Sequence, residues 1–310
     1  MILVAGEALI DFFPTSCGKE KAFVYRPGGS PYNVAIGLGR LKVPVAFLGC
    51  LSGDLFGQLL LSNLKENGVS LDYVIKVGKP TALSFVQLGE SGEPEFYFYG
   101  QDTADTSLTY NHIPDHLDQG ICALHLGSLA MVREPSGSVL TELMEREHSQ
   151  RVISLDPNVR PDQIPDRDAY LKKLNRWVQS VDIFKLSYSD LTYLAPDVPP
   201  GEMAHRWLSM GVQLVVMTQG PKGAVAYTQS QSVAVESPQV RVVDSVGAGD
   251  AFTAAFLAAL YFLKTLEKQA LAEINPATLR RALKFAVRAA ALACTRKGAD
   301  PPRLSELGPL

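Results

Sequence analysis

The sequence predicts a three-layer α/β fold, with a mainly parallel central sheet and a second, small β-sheet. Short apolar runs alternate with helical stretches after about residue 111, which is typical of strand–helix–strand units in a parallel sheet. Residues 73–99 instead hold three strand-like runs without an intervening helix, which favours a small antiparallel sheet. A chain of 310 residues is long enough for one large domain with such an insertion.

The N-terminal elements follow from local signals. Residues 2–4 form a buried strand, and Ser30 and Pro31 are suited to serve as N-cap and first residue of a helix. Residues 45–48 form the next short strand, and residues 55–66 have the periodicity of the next helix.

The region without helices is expected to form a lid beside the main domain, together with the aromatic-rich residues 12–26. Its predicted strands are residues 74–77, 84–88 and 95–99, with a polar turn at residues 89–94. The expected division is an α/β core of residues 1–11, 27–72 and 107–310 and a β lid of residues 12–26 and 73–106.

The second half of the chain supplies most of the large sheet. Asn275 and Pro276 are suited to cap and begin the last long helix. The predicted strands are the apolar runs 123–126, 152–155, 183–186, 214–217 and 224–227.

Composition excludes several classes of partner. Hydrophobic residues make up 46% and charged residues 20% of the chain, as in ordinary globular proteins. The net charge of −3 argues against nucleic acid or an anionic membrane as a partner. The four cysteines show no metal-type spacing, and the N-terminus has no basic segment of a signal peptide, so we expect a cytoplasmic protein with reduced thiols.

One glycine-rich segment carries the strongest chemical signal. Residues 244–250 read DSVGAGD and lead directly into an apolar helical run. Unpaired amides and the helix dipole make such a helix start an anion site, and Asp250 places a carboxylate in the first turn. A phosphate held by backbone amides beside a base is suited to phosphoryl transfer to a hydroxyl. The sequence has no Walker-type phosphate loop.

This segment resembles the C-terminal signature of the ribokinase-like (PfkB) family of carbohydrate kinases. The resemblance implies a ribokinase-like fold and phosphoryl transfer from ATP to a sugar hydroxyl, with Mg²⁺ bridging the β- and γ-phosphates. It implies that Asp250 is the catalytic base and contacts the sugar. It also implies that the amides of Gly247, Ala248 and Gly249 form the anion hole, with Gly247 and Gly249 against the nucleotide phosphates.

A second group of residues points to sugar hydroxyls. Asp11 can accept hydrogen bonds, Asn33 can donate and accept them, and Gly28 and Gly29 let the main chain approach a small polar ligand. By themselves, Asp11 could be a turn residue and Asn33 a local cap. The Gly-Gly-x-x-x-Asn element is similar to the N-terminal part of the family pattern, which implies sugar contacts for all four. We also expect Tyr97, on the last lid strand, to contact the sugar.

The segment SLDPNVR (residues 154–160) follows a predicted buried strand, where open α/β sheets bind ligands. An Asp-Pro-Asn turn is the alternative structural interpretation. The Asp-x-Asn-x-Arg pattern is similar to that of fructokinases and 2-keto-3-deoxygluconate kinases. This implies a place for Asp156 and Asn158 near the phosphates and Mg²⁺, and for Arg160 near the sugar or a phosphate.

Further matches imply contacts with the nucleotide. Lys185 precedes Ser187 and Asp190, which stand where the family has Asn-x-x-Glu. Ser187 and Asp190 are suited to form a helix capping box, and Asp190 can contribute to Mg²⁺ binding through water alongside that role. The resemblance also implies nucleotide contacts for Lys185 and for the loop residues Thr218, Gly220 and Gly223, and a monovalent cation, K⁺, at Asp244 and Ser245. Val287 replaces an Asn that relatives often have near the adenosine.

The expected reaction is ATP-dependent phosphorylation of a ketohexose, with fructose converted to fructose 6-phosphate; 2-keto-3-deoxygluconate is the alternative substrate. Ribose and nucleosides fit the pattern less well. A sensing module that kept the fold but lost catalysis would have lost Asp250, and an adaptor would not need the glycine-rich loops. A homodimer through an apolar lid face (Phe85, Phe96, Phe98) and a monomer are both consistent with the sequence.

Overall fold

The structure, a computed structural model, describes residues 1–88 and 94–310. Apart from Pro94, which begins a strand, the turn predicted at residues 89–94 lies outside the described residues. The strands are β1 (Ile2–Ala5), β2 (Leu9–Cys17), β3 (Glu20–Gly28), β4 (Val45–Ser52), β5 (Val74–Val77), β6 (Ala82–Leu88), β7 (Pro94–Tyr99), β8 (Ala123–Gly127), β9 (Val152–Asp156), β10 (Ile183–Ser187), β11 (Leu214–Thr218), β12 (Ala224–Tyr227) and β13 (Ser232–Val235).

The helices cover both faces of the large sheet. They are α1 (Ser30–Arg40), α2 (Leu55–Glu66), α3 (Ser136–Glu147), α4 (Arg167–Val178), α5 (Tyr188–Leu194), α6 (Pro200–Ser209), α7 (Ala248–Phe262), α8 (Lys268–Ala272), α9 (Pro276–Ala293) and α10 (Leu304–Leu307). Within the described ranges, no helix is both long and apolar enough to cross a membrane.

The large sheet has the strand order β13-β12-β11-β10-β9-β8-β1-β4-β5, and all neighbours from β11 to β5 are parallel. Strand β1 is completely buried, and its side chains alternate between two apolar layers. Ile2 and Val4 pack with α1, α2, α7 and α9, whereas Leu3 and Ala5 pack with the layer formed by α3 to α6. The predicted three-layer fold with a mainly parallel sheet is therefore confirmed.

The small sheet, called the lid here, has the order β3-β2-β6-β7. Two expectations about it need correction. Residues 74–77 form β5, which pairs in parallel with β4 in the large sheet, because a short connection after α2 completes a strand–helix–strand unit. The lid also includes residues 9–11 and 27–28, which were expected in the core, because β2 and β3 pair from Leu9–Gly28 onward.

Candidate active site

A cavity of about 1010 Å³ opens where the parallel strands end. Glu7 follows β1, Ser128 follows β8, Arg160 follows β9 and Thr218 ends β11, and all four line the cavity. The carboxyl ends of parallel strands meet at this edge, where open α/β sheets bind ligands. The volume lies at the upper end of the usual range for small-molecule sites.

Most of the predicted site residues line this one cavity. Gly28, Tyr97, Asp156 and Asp244 are not part of its lining. The predicted residues that line it are Asp11, Gly29, Asn33, Arg160, Lys185, Asp190, Thr218, Gly220, Gly223, Ser245, Gly247, Ala248, Gly249 and Asp250.

The start of α7 forms one wall of the cavity. Gly247 is the N-cap with φ of 77°, and a Cβ at this position would lie 2.6 Å from the Cβ of Ala299. Ala248, Gly249 and Asp250 form the first turn, whose amides have no partner inside the helix. The amide of Ala248 donates to the carbonyl of Ser245 at 3.2 Å. The three residues expected to form the anion hole thus line the cavity, and the amide of one of them, Ala248, is hydrogen-bonded within the turn.

Two side chains from α1 hold the carboxylate of Asp250. The hydroxyl of Ser30 donates to Oδ1 at 2.7 Å, and the amide of Asn33 donates to Oδ2 at 2.8 Å. Asp250 is buried, and this burial raises the pKa of its carboxyl, whereas the two donors lower it. The carboxylate is thus fixed in orientation and has an increased affinity for a proton.

Ser30 does not cap α1, so that prediction is wrong. The cap is Gly29, with φ of 103°, and a Cβ there would lie 2.6 Å from the carbonyl oxygen of Glu7. The close approach requires glycine, and it moves Ser30 into the first turn, on the same face as Asn33. The sequence analysis did not assign Ser30 to the site, although its three-residue spacing from Asn33 was a usable signal.

Asp11 lies on the inner face of the lid. It is opposite Ser84 on β6, which is opposite Phe98 on β7. A Cβ at Gly28 would lie 2.1 Å from Oδ2 of Asp11, so Gly28 makes the space that this carboxylate occupies. Burial raises the pKa of Asp11 to about 7, and the neighbouring carboxylate of Asp250 acts in the same direction.

Glu7 is a further cavity residue that the sequence analysis did not single out as part of the site. Its carboxylate accepts hydrogen bonds from the amide of Ser30 at 3.2 Å and from the amide of Ala130 at 3.0 Å. Burial raises its pKa to about 7, against the lowering effect of hydrogen bonds from its own backbone, the Ser128 side chain and the Ala130 amide. Glu7 therefore connects the start of α1 to the segment after β8.

The lid faces the cavity through Phe96 and Phe98 rather than through Tyr97. Side chains alternate along a strand, so Tyr97 lies on the outer face, opposite Phe85. The expected sugar contact of Tyr97 is corrected on this ground. The same alternation corrects the apolar face proposed for pairing, because Phe85 is outside while Phe96 and Phe98 are inside.

Arg160 lies in the cavity wall beside the lid. Its Nη1 donates to Oδ1 of Asn158 at 2.8 Å, and its guanidinium lies 5.8 Å from the ring centroid of Phe96. It is therefore placed between the loop after β9 and the lid.

Asp156 and Lys185 form a buried ion pair on neighbouring strands. The Nζ of Lys185 lies 2.6 Å from Oδ2 of Asp156. Burial lowers the pKa of Lys185, but the carboxylate of Asp156 outweighs this effect and the pKa is raised, so the ammonium stays charged. A Cβ on Gly249 would lie 3.3 Å from the same Nζ, so this positive charge adjoins the first turn of α7.

Ser187 and Asp190 form a capping box at the start of α5, which confirms that interpretation. Oδ2 of Asp190 accepts from the amide of Ser187 at 2.7 Å, and Oδ1 accepts from the amide of Val159 at 2.8 Å. Asp190 therefore attaches the loop after β9 to β10. Among the described residues, no three His, Cys, Asp or Glu side chains are grouped as a metal site.

The carboxylate of Asp244 connects the turn that leads into α7 with the turn that follows α9. Its Oδ1 accepts from the amide of Val246 at 3.0 Å, and its Oδ2 accepts from the amide of Gly298 at 2.8 Å. Ser245 lines the cavity beside it. The two expected cation residues are thus adjacent, with the Asp244 carboxylate already hydrogen-bonded to backbone.

The other half of the cavity is mainly apolar. Gly223 ends the turn after β11 with φ of 98°, and a Cβ there would lie 2.0 Å from the carbonyl oxygen of Val235. Val287 on α9 lines this half and is almost completely buried. Its apolar neighbours in the lining are Val240, Val242, Ala290 and Ala291.

The pattern of the pfkB family carbohydrate kinases matches residues 1–306 of the chain. A fructokinase from Rhizobium leguminosarum bv. trifolii is 39% identical over 282 residues, which cover 90% of this chain and 86% of the relative. A fructokinase from Xylella fastidiosa, whose crystal structure contains bound ATP, is 32% identical with a TM-score of 0.90. The match covers 99% of this chain and 96% of that chain. A double mutant of the Vibrio cholerae fructokinase, bound to fructose, ADP and potassium ion, is 29% identical with a TM-score of 0.85; 99% of this chain and 96% of that chain are covered.

Proposed function

The chain belongs to the pfkB family of carbohydrate kinases, and we propose that it uses ATP to phosphorylate fructose at its 6-hydroxyl. One observation carries this proposal: Asp250, at the start of α7, is held inside the cavity by Ser30 and Asn33. The bacterial and plant relatives named as fructokinases support the same sugar.

The proposed mechanism uses groups that the cavity already positions. Asp250 accepts the proton of the attacking hydroxyl, because burial raises its pKa above that of an ordinary aspartate. The amides at the start of α7 stabilise the charge on the transferred phosphoryl group. The ammonium of Lys185, next to Gly249, adds positive charge at the same place.

The charges in the cavity favour a neutral sugar over an acidic one. Glu7, Asp11 and Asp250 place three carboxylates around the part next to the lid. Arg160 and Lys185 are the cationic side chains of the cavity lining within the described residues. Lys185 is paired with Asp156, so an additional carboxylate, as in 2-keto-3-deoxygluconate, would disfavour the ionised forms of the three acidic side chains, including the base Asp250. We propose that Asp11 and Asn33 bind hydroxyls of the ketohexose.

Metal ions are assigned to the nucleotide side of the site. Oδ1 of Asp156 accepts one hydrogen bond, from the amide of Asn158, and keeps acceptor capacity for a water molecule. Asp156 and Asp190 would hold Mg²⁺ through water, and the ion supplies neutralisation of the phosphate charges. Asp244 and Ser245 would hold K⁺, the ion named for the Vibrio cholerae relative.

Two further proposals concern the protein's surroundings. The outer lid face exposes Phe23, Tyr25, Tyr97 and Tyr99, each by at least 50%, and we propose that a second copy covers it. A Tyr25→Lys variant should shift the mass measured by light scattering from dimer to monomer. The four cysteines carry free thiols, which fits a reducing, cytoplasmic location.

The reaction is tested by sugar-dependent ADP release with ATP and Mg²⁺. The panel contains fructose, 2-keto-3-deoxygluconate, ribose, tagatose and adenosine, and the enzymes are the wild type, Asp250→Asn and Asp197→Asn. Fructose turnover should fall by about 10² to 10⁴ in Asp250→Asn. Asp197 is an exposed carboxylate between α5 and α6, so its variant should act as the wild type. Turnover with another sugar in place of fructose would overturn the assignment of fructose as the substrate. Activity that is unchanged in Asp250→Asn would overturn the assignment of Asp250 as the catalytic base.

A further inference from the structure

Arg133 occupies a position between the lid and the main domain. Its Nη1 lies 3.3 Å from Oδ2 of Asp105, and its Nη2 donates to Oε1 of Gln163 at 2.9 Å. Its guanidinium also lies 5.4 Å from the ring centroid of Phe98. One side chain therefore contacts the lid strand β7, the segment after the lid and the turn after β9.

The groups around Arg133 are themselves fixed. The backbone carbonyl of Asp105 accepts from the hydroxyl of Ser136 at 3.0 Å, which ties it to the start of α3. The Asp105 side chain is 1% exposed and that of Arg133 is 15% exposed, so the ion pair is shielded from solvent screening. The guanidinium of Arg133 therefore contacts the main domain through Asp105 and Gln163 and the lid through Phe98.

Gly100 provides the space for this arrangement. A Cβ at Gly100 would lie 2.2 Å from Nη1 and 3.0 Å from Cζ of Arg133. Gly100 follows directly after β7 and does not have a positive φ, so the backbone conformation itself would accept alanine. A Cβ at this position would displace the guanidinium of Arg133 from its present contacts.

We propose that Arg133 is a positioning residue that holds the lid in its sugar-binding position. Of the residues that contact it, Phe98 and Gln163 line the cavity. Phe98 is the cross-strand neighbour of Ser84, and Ser84 is that of Asp11. The position of Asp11 relative to Asn33 therefore depends on the attachment of the lid through Arg133. This inference rests on the proposed function only in that the ligand of Asp11 and Asn33 is a sugar.

The other aromatic residue of the lid that lines the cavity has a similar contact. Arg160 lies against Phe96 from the loop after β9, as Arg133 lies against Phe98. Each cation–π contact is weak by itself, but the two act on the same strand. If the attached lid becomes less populated, the apparent sugar affinity falls by the same factor, while ATP binding to α7 and α9 is unaffected.

The first test is Arg133→Lys. Lysine keeps the charge beside Asp105 but loses the planar fork that reaches Gln163 and Phe98 together. The KM for fructose should rise about three- to tenfold, with the KM for ATP and the Tm unchanged. Hydrogen exchange of the backbone amides of residues 95–99 should become faster, whether or not a sugar is present. Arg176→Lys is the matched control, because Arg176 is an exposed arginine paired with Glu145 outside the lid.

Gly100→Ala perturbs the same contact without removing a charged group. In the wild-type background it should raise the fructose KM, and in the Arg133→Lys background it should raise the KM no further. The control is Gly78→Ala, whose added Cβ has no atom within 4 Å and which should leave the fructose KM unchanged in both backgrounds. An unchanged fructose KM together with unchanged amide exchange of residues 95–99 in both variants would overturn the inference. If the wild type does not use fructose, the proposed function fails, while the exchange measurement still tests Arg133.

Discussion

The side-chain amide of Asn33 donates a 2.8 Å hydrogen bond to Oδ2 of Asp250, across 217 residues of sequence. The bond joins the first turns of α1 and α7, which are neighbouring helices in one layer of the fold. Ser30 adds a bond to the other oxygen of the same carboxylate. The two donors oppose the effect of burial on the pKa of Asp250.

Ser30→Ala should move the acidic limb of the pH–rate profile to higher pH. The hydroxyl of Ser30 lowers the pKa of Asp250, so its removal leaves the carboxyl protonated over a wider range. The variant should be slower than the wild type near neutral pH and approach it in alkaline solution. The profile of kcat/KM for fructose between pH 5 and 9 measures this. Ser209→Ala, on the surface of α6, is the control, and an equal loss at every pH would contradict the prediction.

Asp11→Asn should stabilise the sugar-free protein in alkaline solution. Burial raises the pKa of Asp11 from 3.8 to about 7, so the protonated form is favoured in the folded state. The stability contribution is therefore fully present below the unfolded value and is lost as the pH rises through about 7. The free energy of unfolding of the wild type should fall between pH 5 and pH 8 more than that of the variant, by a few kcal/mol at most. Urea unfolding at both pH values measures the difference, and parallel curves would contradict it. Sugar binding should be lost in the same variant.

Gly28→Ala should impair sugar use without an effect on ATP. Its Cβ would lie 2.1 Å from Oδ2 of Asp11, so the carboxylate must move. A displacement of this kind can cost about a hundredfold in kcat/KM for the sugar. Gly78→Ala meets open space and should retain wild-type kinetics. Steady-state kinetics with each substrate varied in turn decide the matter, and a rise in the ATP KM alone would refute this role of Gly28.

Lys185→Met should destabilise the fold as well as abolish turnover. It leaves the carboxylate of Asp156 buried without its 2.6 Å partner, which costs about 3–5 kcal/mol in comparable pairs. The double variant Asp156→Asn/Lys185→Met removes both charges and should recover most of this stability, while remaining inactive. Chemical denaturation of both proteins tests the prediction, which fails if the double variant is as unstable as the single one.

Most strands of the large sheet and the start of α7 could be predicted because their signals are local, whereas β13 is not among the predicted strands. Apolar runs identify buried strands, and the Gly-Ala-Gly turn before an apolar helix identifies a helix N-terminus. The sheet to which a strand belongs is not a local property, which is why residues 74–77 were placed in the lid. The face of a strand that meets the cavity depends on register, so Tyr97 was chosen instead of Phe96 and Phe98.

The site contacts that sequence analysis missed are long-range or backbone-dependent. Asp156 and Lys185 stand 29 positions apart on neighbouring strands, and their pairing depends on the strand order. Serine is a residue type that favours the N-cap position, but the close approach of Gly29 to the backbone of Glu7 decides where α1 begins. These features depend on tertiary packing, which overrides the local preference.

The two side chains proposed to bind the sugar belong to different parts of the fold. Asp11 lies on the lid strand β2, and Asn33 lies at the start of α1 in the core. A ligand that reaches both therefore bridges the lid and the core, and its length decides whether it can contact both side chains at once. Discrimination among sugars then depends on the distance between their hydroxyl groups as much as on their shape. A molecule that is too short to bridge would bind one side and leave the nucleotide phosphates open to water.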